Sequence, residues 1–308
     1  MGKLESTRNS NIELFRLVLM VMVVLHHSII YGLGLGSLNN TNGVSLVVPD
    51  NEIPLYLSIN TFLVVAVNSF VLVSGYFGIR PTFKKYKSLF LTVAFYTLLF
   101  TTTYHLYHNE VKNTISSVML LSHNRYYFII NYMLLMAFSP MINWFYDIAD
   151  SRKKTLFTTA MLVGTCYVGF MFQNYSLNDT GYSLFQFITM YVLGRHLRNI
   201  NSSLLTSKWM ILLFIGICSL NASLIVACFN RGYTELAYHL NHYNSPLIVL
   251  ASVFIFCFFL SLSIKSTLIN KVAESALAIY LFQESTLIRN ILFEGVSCCY
   301  RDNCVVGG

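Results

Sequence analysis

Charged residues are scarce in this chain. Asp, Glu, Lys and Arg make up 11% of its 308 residues, whereas hydrophobic residues make up 55%. Soluble domains contain about 25% charged residues. A soluble domain of this length has too small an interior for so many apolar side chains, so the composition favours a protein whose helices lie in a lipid bilayer. The net charge of +7 comes from short basic clusters between apolar runs, which is typical of membrane topology rather than of nucleic-acid binding.

Motifs of several other function classes are also absent. The chain has no nucleophile elbow of hydrolases, no zinc-protease motif and no phosphate-binding loop. It contains no internal repeat and only 5 prolines, whereas many transporters have repeated halves or helices broken by Gly and Pro. Two histidine pairs, His105 with His108 and His239 with His242, would each need a further ligand to bind a metal. We therefore expect no metal.

Most of the sequence consists of apolar runs of about 20 residues, which is the length that crosses a bilayer. They cover residues 12–31, 55–79, 88–107, 126–146, 155–173, 182–197, 209–229, 246–264 and 272–289. These runs predict an all-α fold, a polytopic transmembrane helical bundle of about nine spans. No hydrophilic insertion is long enough for a soluble domain, so residues 1–308 are predicted to form a single integral membrane domain.

Basic residues are distributed unevenly between the two sides of this topology. Of the 20 Lys and Arg residues, 14 lie in segments on the side of the N-terminus, 5 lie on the other side, and Arg16 lies within a span. Because cytoplasmic loops carry an excess of Lys and Arg, the N-terminus is predicted to be cytoplasmic.

The first span contains four ionisable residues, and such residues inside a membrane are costly and often functional. They are Glu13, Arg16, His26 and His27. His27 follows Arg16 by eleven residues, about three helical turns, so both side chains project from one face, with Glu13 on the same stripe. Arg16 and His27 then lie roughly 16 Å apart along the helix.

A structural explanation of this stripe is also open. Glu13 and Arg16 can form an ion pair at the start of the helix. Arg16 can extend to the inner headgroups, and His27 can be a hydrogen-bonded histidine at the interface.

The second span ends in Ser74 and Gly75, and a basic cluster follows it. Small residues allow helices to approach closely, so packing is the simplest explanation of these two. The cluster consists of Arg80, Lys84, Lys85 and Lys87. It is a topology determinant that could also bind anionic lipid or the phosphates of a cytosolic cofactor.

The order of these segments resembles that of the membrane-bound acyltransferase-3 family, which acylates cell-surface carbohydrates in bacteria. The family's Arg-(ten residues)-His signature falls on Arg16 and His27. Its Ser-Gly-Tyr segment is similar to Ser74-Gly75-Tyr76, and its Ile-Tyr-Leu segment is similar to residues 279–281. Further similar segments lie at residues 126–128, 134–135, 139–140 and 192–195. The resemblance covers about residues 10–290.

This resemblance implies a plasma-membrane O-acyltransferase. The enzyme would move an acyl group, most simply acetyl, from cytosolic acyl-CoA to a hydroxyl of a cell-surface or exported carbohydrate. Its partners would be acyl-CoA (acetyl-CoA), the carbohydrate acceptor and the lipid bilayer, with no nucleic acid. Lipid-facing and partner-facing apolar surfaces look alike in sequence, so the oligomeric state stays open.

The resemblance also suggests roles for residues of the chain. We expect His27 to act as the general base on the acceptor hydroxyl. Arg16 would hold the donor through its phosphates or its thioester end, and Glu13 would orient Arg16. Three basic residues are weaker candidates for binding the CoA phosphates. These are Lys84, Lys85 and Arg195.

The chain differs from the family pattern in two places. A His commonly follows the Ile-Tyr-Leu segment, but this chain has Gln283 and Glu284. The family core usually has ten spans, whereas a polar, cysteine-rich tail follows Arg289. We therefore expect either that the domain lacks its last span or that the chain is a truncated or frame-altered form.

Two alternatives from other classes are consistent with the residues. The first is a polytopic transporter or exporter of a glycan or lipid-linked sugar, with the polar stripe along its pathway. The second is a membrane subunit without catalysis. Dependence on acyl-CoA would distinguish the enzyme from both.

Overall fold

The computed structural model describes residues 9–36, 46–108, 126–172, 180–200, 207–285, 293, 295–298 and 300. All regular structure in these ranges is helical. The helices are α1 (Ser10–His27), α2 (Ile53–Phe77), α3 (Phe83–His108), α4 (Tyr127–Ile148), α5 (Ser151–Leu162), α6 (Leu184–Asn199), α7 (Met210–Asn230), α8 (Thr234–His239), α9 (Pro246–Leu260), α10 (Thr267–Val272) and α11 (Ala276–Glu284). Turns of π-helix extend α1 over Ser28–Gly32 and α5 over Val163–Gly169.

The helices agree with the predicted spans, since each span overlaps a helix or a run of consecutive helices. Within the described ranges, four helical segments are long and apolar enough to cross a membrane, and α9 is a shorter apolar helix. The four are Ser10–Gly32, Ile53–Phe77, Tyr127–Ile148 and Met210–Asn230. The predicted all-α membrane fold is confirmed.

The last predicted span, residues 272–289, does not form one continuous α-helix in its described part. α10 ends at Val272, and a tight 3₁₀ turn covers Ala273–Ser275 before α11 begins. α11 ends at Glu284, because Ser285 has an extended backbone. A 3₁₀ turn has fewer residues per turn than an α-helix. The side chains of α11 are therefore rotated about the helix axis relative to those of a continuous α-helix from α10.

α2 is the central helix and contacts α1, α6, α7, α8 and α9. Its closest approach is to α6. A Cβ atom on Gly75 would lie 2.2 Å from the Tyr191 carbonyl oxygen, and one on Gly194 would lie 2.3 Å from the Leu72 carbonyl oxygen. The predicted packing role of Gly75 is confirmed, and Gly194 is its counterpart on α6.

The start of α1 and the ends of α2 and α6 lie at one end of the bundle, which we call the basic end. The Arg198 guanidinium donates to the carbonyl oxygens of Tyr76 and Phe77 at 3.2 and 3.1 Å. Ser10 and Ser266 are hydrogen-bonded to each other, which joins α1 to the segment before α10. Basic residues from distant parts of the sequence thus share one end, as the predicted topology requires.

The rotation of α1 is determined by its apolar face. Phe15 and Leu19 are fully buried, and the Phe15 ring stacks on Phe259 with centroids 4.6 Å apart. α1 contacts α2, α9, α10 and α11. Because this face is held in the core, the stripe from Arg16 to His27 points into a space between α1, α2, α3, α4 and α11.

Candidate active site

A cavity of about 310 Å³ contains both residues of the first-helix signature. Arg16 lies toward the basic end and His27 lies toward the opposite end. The cavity walls between them are mainly apolar. The other lining residues are Met20, Val23, Val67, Phe70, Ser74, Leu89, Tyr127, Phe128, Ile129, Tyr132, Ala276, Leu277 and Tyr280. The predicted stripe therefore faces an internal space of a volume typical of small-molecule sites.

His27 is paired with an acidic residue from the end of α11. Its Nδ1 atom lies 3.2 Å from Oε1 of Glu284, and both side chains are almost fully buried. The π-helical turns that follow His27 lie beside this pair, and π-helical turns are frequent at functional sites. Sequence reasoning noted Glu284 only as a departure from the family pattern. No local signal could have found its contact with His27, because the two residues lie at opposite ends of the sequence.

The predicted pairing of Glu13 with Arg16 is confirmed. Arg16 Nη1 donates to Glu13 Oε1 at 3.1 Å, with the Arg16 side chain 40% exposed and that of Glu13 only 12% exposed. Glu13 thus holds the guanidinium near the cavity, while part of the guanidinium stays accessible. This arrangement fits an orienting role for Glu13 as well as a structural one.

His26 has a separate environment from His27. Its Nδ1 atom shares a 2.6 Å hydrogen bond with Asn60 Oδ1 on α2, and it does not line the cavity. The predicted displacement of His26 from the stripe is confirmed. We assign it to the packing of α1 against α2.

Four tyrosines lie at the end of the bundle opposite the basic end, which we call the tyrosine end. They are Tyr31, Tyr127, Tyr182 and Tyr243. The Tyr31 ring lies 5.2 Å from the His27 ring, and the Tyr182 ring lies 4.8 Å from Tyr127 and 4.9 Å from Tyr243. Since Tyr182 is 47% exposed, this cluster connects the surface with the neighbourhood of His27.

Two buried polar side chains on α11 have no hydrogen-bond partner among the described residues. They are the Tyr280 hydroxyl and the Gln283 amide. Tyr280 is 8% exposed and Gln283 is 2% exposed. Buried polar groups are normally hydrogen-bonded, so the hydroxyl of Tyr280, which lines the cavity, suggests a ligand that completes it. No sequence signal pointed to Tyr280 beyond its place in the Ile-Tyr-Leu segment.

The three basic candidates for the CoA phosphates do not line the cavity. Arg195 Nη2 donates to Asp147 Oδ1 at 3.2 Å, and its side chain is 12% exposed. Lys84 and Lys85 are exposed. Lys85 precedes the cavity-lining Leu89 by four residues and so lies one turn nearer the basic end on the same face of α3. Of the three residues, Lys85 is therefore the best placed to reach phosphates at the basic end of the cavity. Arg195 is instead engaged in an ion pair with Asp147.

Of the two histidine pairs considered as metal ligands, one has its side chains in the described part of the chain. His239 and His242 are hydrogen-bonded to each other through their Nδ1 atoms at 2.8 Å, and His239 Nε2 contacts the Phe170 carbonyl oxygen. The side chains of His105 and His108 lie outside the described part of the chain. Among the described residues, no group of three or more His, Cys, Asp and Glu could hold a metal ion.

The site thus combines a buried histidine–carboxylate pair, an accessible arginine and an apolar passage between them. A histidine with a carboxylate on one ring nitrogen can serve as a general base through the other. A guanidinium is always charged and binds phosphate or carboxylate groups in a paired fashion. This arrangement fits transfer between a long anionic donor and a neutral nucleophile.

Comparison with protein-family models identifies one that covers nearly the whole chain. The family described as "Acyltransferase domain" matches residues 9–293, a range that includes every residue lining the cavity. Comparisons with curated proteins and with solved structures find no match. This helical membrane protein therefore belongs to the acyltransferase-3 family of acyltransferases.

Proposed function

We propose that this protein is a membrane O-acetyltransferase, which moves an acetyl group from cytosolic acetyl-CoA to a hydroxyl group of a carbohydrate beyond the membrane. The observation that carries the proposal is the single cavity with Arg16 toward one end and His27 toward the other. A donor from one side and an acceptor from the other could meet within such a cavity.

The spacing of Arg16 and His27 along α1 is comparable to the length of the donor's arm. The pantetheine arm of CoA has roughly 13 bonds between its phosphate and its sulfur, which corresponds to about 15 Å of extended chain. Arg16 and His27 are separated by roughly 16 Å along α1. With its phosphates at Arg16 and Lys85, CoA would place its thioester close to His27, while the arm lies along the apolar walls.

The tyrosine end is the candidate path for the acceptor. Aromatic rings offer a large apolar face and, in tyrosine, a hydroxyl for hydrogen bonding. These features suit a sugar, which has both C–H faces and hydroxyl groups. Tyr182 lies exposed at the surface, and Tyr31 lies beside His27. A sugar hydroxyl that follows this path reaches the imidazole from the side opposite to the donor.

In the transfer itself, His27 takes a proton from the acceptor hydroxyl and later gives it to the CoA sulfur. Glu284 faces Nδ1, so Nε2 takes the proton of the acceptor hydroxyl as its oxygen forms a bond to the thioester carbonyl carbon. The resulting tetrahedral intermediate collapses with cleavage of the carbon–sulfur bond. The CoA sulfur leaves and accepts the proton from the imidazolium, which yields the acetyl ester and free CoA.

The test compares cells that express the chain, its His27→Ala variant or an empty vector. We expect base-labile O-acetyl groups on surface glycans only with the unmodified chain, and purified protein in lipid nanodiscs should release CoA from acetyl-CoA in the presence of acceptor. His242→Ala is the matched control, because it removes a histidine that lies outside the cavity. Full transfer by His27→Ala would refute the mechanism. Export of a glycan without consumption of acyl-CoA would favour the transporter alternative.

A further inference from the structure

Tyr280 has a buried side chain and lies on the wall of the cavity. Its side chain is 8% exposed, and its hydroxyl has no hydrogen-bond partner among the described residues. Its nearest ring neighbour is Phe128, whose centroid is 5.8 Å away. A buried hydroxyl without a hydrogen bond is unfavourable, and the cavity is the space from which a partner could come.

The position of Tyr280 relative to His27 follows from α11. Tyr280 precedes Glu284 by four residues and therefore lies roughly one turn, about 6 Å, before it on the same face of the helix. Glu284 contacts His27. The start of α11 lies toward the basic end, because α10 and the segment before it meet the start of α1. Tyr280 is thus on the donor side of His27.

Transfer from a thioester also requires a group that the proposed function has not yet supplied. Negative charge develops on the carbonyl oxygen, and a hydrogen-bond donor at that oxygen is normally a large contributor to the rate. Arg16 cannot serve an acyl group at His27, since it lies roughly 16 Å away along α1. Glu284 already contacts the imidazole of His27. As a carboxylate, it also accepts hydrogen bonds and does not donate them.

We propose that the Tyr280 hydroxyl is the oxyanion donor of this enzyme and donates its hydrogen bond to the thioester carbonyl oxygen of the bound donor. This inference rests on the proposed acetyl transfer. The donor's carbonyl group reaches Tyr280 just before it reaches His27. The hydrogen bond shortens and strengthens as the oxygen becomes negative in the tetrahedral intermediate, and it weakens again when the carbon–sulfur bond breaks. No proton is lost from Tyr280 in this step.

The first experiment measures transfer by Tyr280→Phe in nanodiscs. We expect kcat to fall about 100-fold while KM for acetyl-CoA stays within about twofold, because the hydrogen bond is strongest in the transition state. The melting temperature should stay the same or rise, since the variant removes an unsatisfied buried group. A purely structural tyrosine would show the opposite, with lower stability and unchanged kcat.

The matched control is Tyr86→Phe. The Tyr86 hydroxyl lies 3.4 Å from the Met133 carbonyl oxygen, and the residue does not line the cavity, so transfer should be unchanged. A second measurement needs no turnover. The infrared band of acetyl-CoA labelled with ¹³C at the carbonyl should lie at lower frequency when bound to the unmodified protein than when bound to Tyr280→Phe.

The outcomes separate this inference from the proposed function. Equal kcat values and equal carbonyl bands for the unmodified protein and Tyr280→Phe would overturn the role of Tyr280, even if acetyl transfer itself is observed. A band shift that depends on Tyr280 in a protein that transfers no acetyl group would support the hydrogen bond and refute the proposed transfer.

Discussion

At the scale of single residues, the pair of His27 and Glu284 determines how the imidazole is used. In the proposed mechanism, a carboxylate 3.2 Å from Nδ1 stabilises the imidazolium that forms when Nε2 takes a proton. The family resemblance implied a His after the Ile-Tyr-Leu segment, where this chain has Gln283 and Glu284. The structure brings an acidic side chain from this region to His27, the proposed general base.

We predict that Glu284→Gln lowers kcat for acetyl transfer by about 100-fold, within the usual range for general-base catalysis. The substitution keeps the size of the side chain but removes the charge that orients and stabilises the imidazole. Glu235→Gln, at an exposed carboxylate on α8, is the control and should be fully active. The assay is CoA release in nanodiscs, and a fully active Glu284→Gln protein would contradict the prediction.

We also predict that Arg16→Gln raises KM for acetyl-CoA by about 10-fold or more, since a hydrogen bond to a charged group contributes about 1.5–3 kcal/mol. The KM for S-acetylpantetheine, which lacks the phosphates, should hardly change. Arg152→Gln is the control, because Arg152 is exposed and does not line the cavity. If KM for both donors rose equally, Arg16 would bind the thioester end instead of the phosphates.

At the scale of helices, the contact between α2 and α6 is the most constrained. The Gly75 and Gly194 backbones approach so closely that added Cβ atoms would overlap carbonyl oxygens. Backbone atoms cannot move aside as the end of a flexible side chain can. This contact therefore determines how α2 presents Val67, Phe70 and Ser74 to the cavity.

Gly194→Ala should accordingly destabilise the protein by about 1–3 kcal/mol, the usual cost of an overpacked interior. Gly216→Ala on α7 provides the control, because a Cβ atom there meets no heavy atom within 4 Å. Alanine also has the higher helix propensity. Thermal unfolding in detergent measures both variants. A melting temperature of Gly194→Ala equal to that of the unmodified protein would show that α2 and α6 can move apart without cost.

At the scale of the whole molecule, the two ends of the bundle differ in chemistry. The basic end holds the start of α1 and the basic residues that follow α2 and end α6. The tyrosine end holds exposed aromatic rings, and the tail also packs there. Phe293 lies 5.7 Å from the Tyr31 ring, and the Tyr300 hydroxyl donates to Glu52 at 2.7 Å. The expectation of a missing tenth span falls partly on residues 286–292, which lie outside the described part of the chain.

We predict that the basic end faces the cytoplasm, as the excess of Lys and Arg on that side requires. In a background in which the tail cysteines Cys298, Cys299 and Cys304 are replaced by Ser, a membrane-impermeant maleimide added to intact cells should label Arg231→Cys and leave Lys153→Cys unlabelled. In inverted vesicles the pattern should reverse. Labelling of Lys153→Cys in intact cells would place the donor site on the wrong side for cytosolic acetyl-CoA.

The helical membrane fold and the stripe on α1 could be predicted from the sequence alone. Both depend on local properties, since about 20 apolar residues span a bilayer and side chains eleven residues apart share a helical face. The pairing of Glu13 with Arg16 was predictable for the same reason. The contact of Glu284 with His27, the ion pair of Arg195 with Asp147 and the place of Tyr280 on the cavity wall depend on the tertiary structure. These relations join residues on different helices, whose mutual rotation depends on packing such as the contact of Gly75 and Gly194, and no local pattern encodes that rotation.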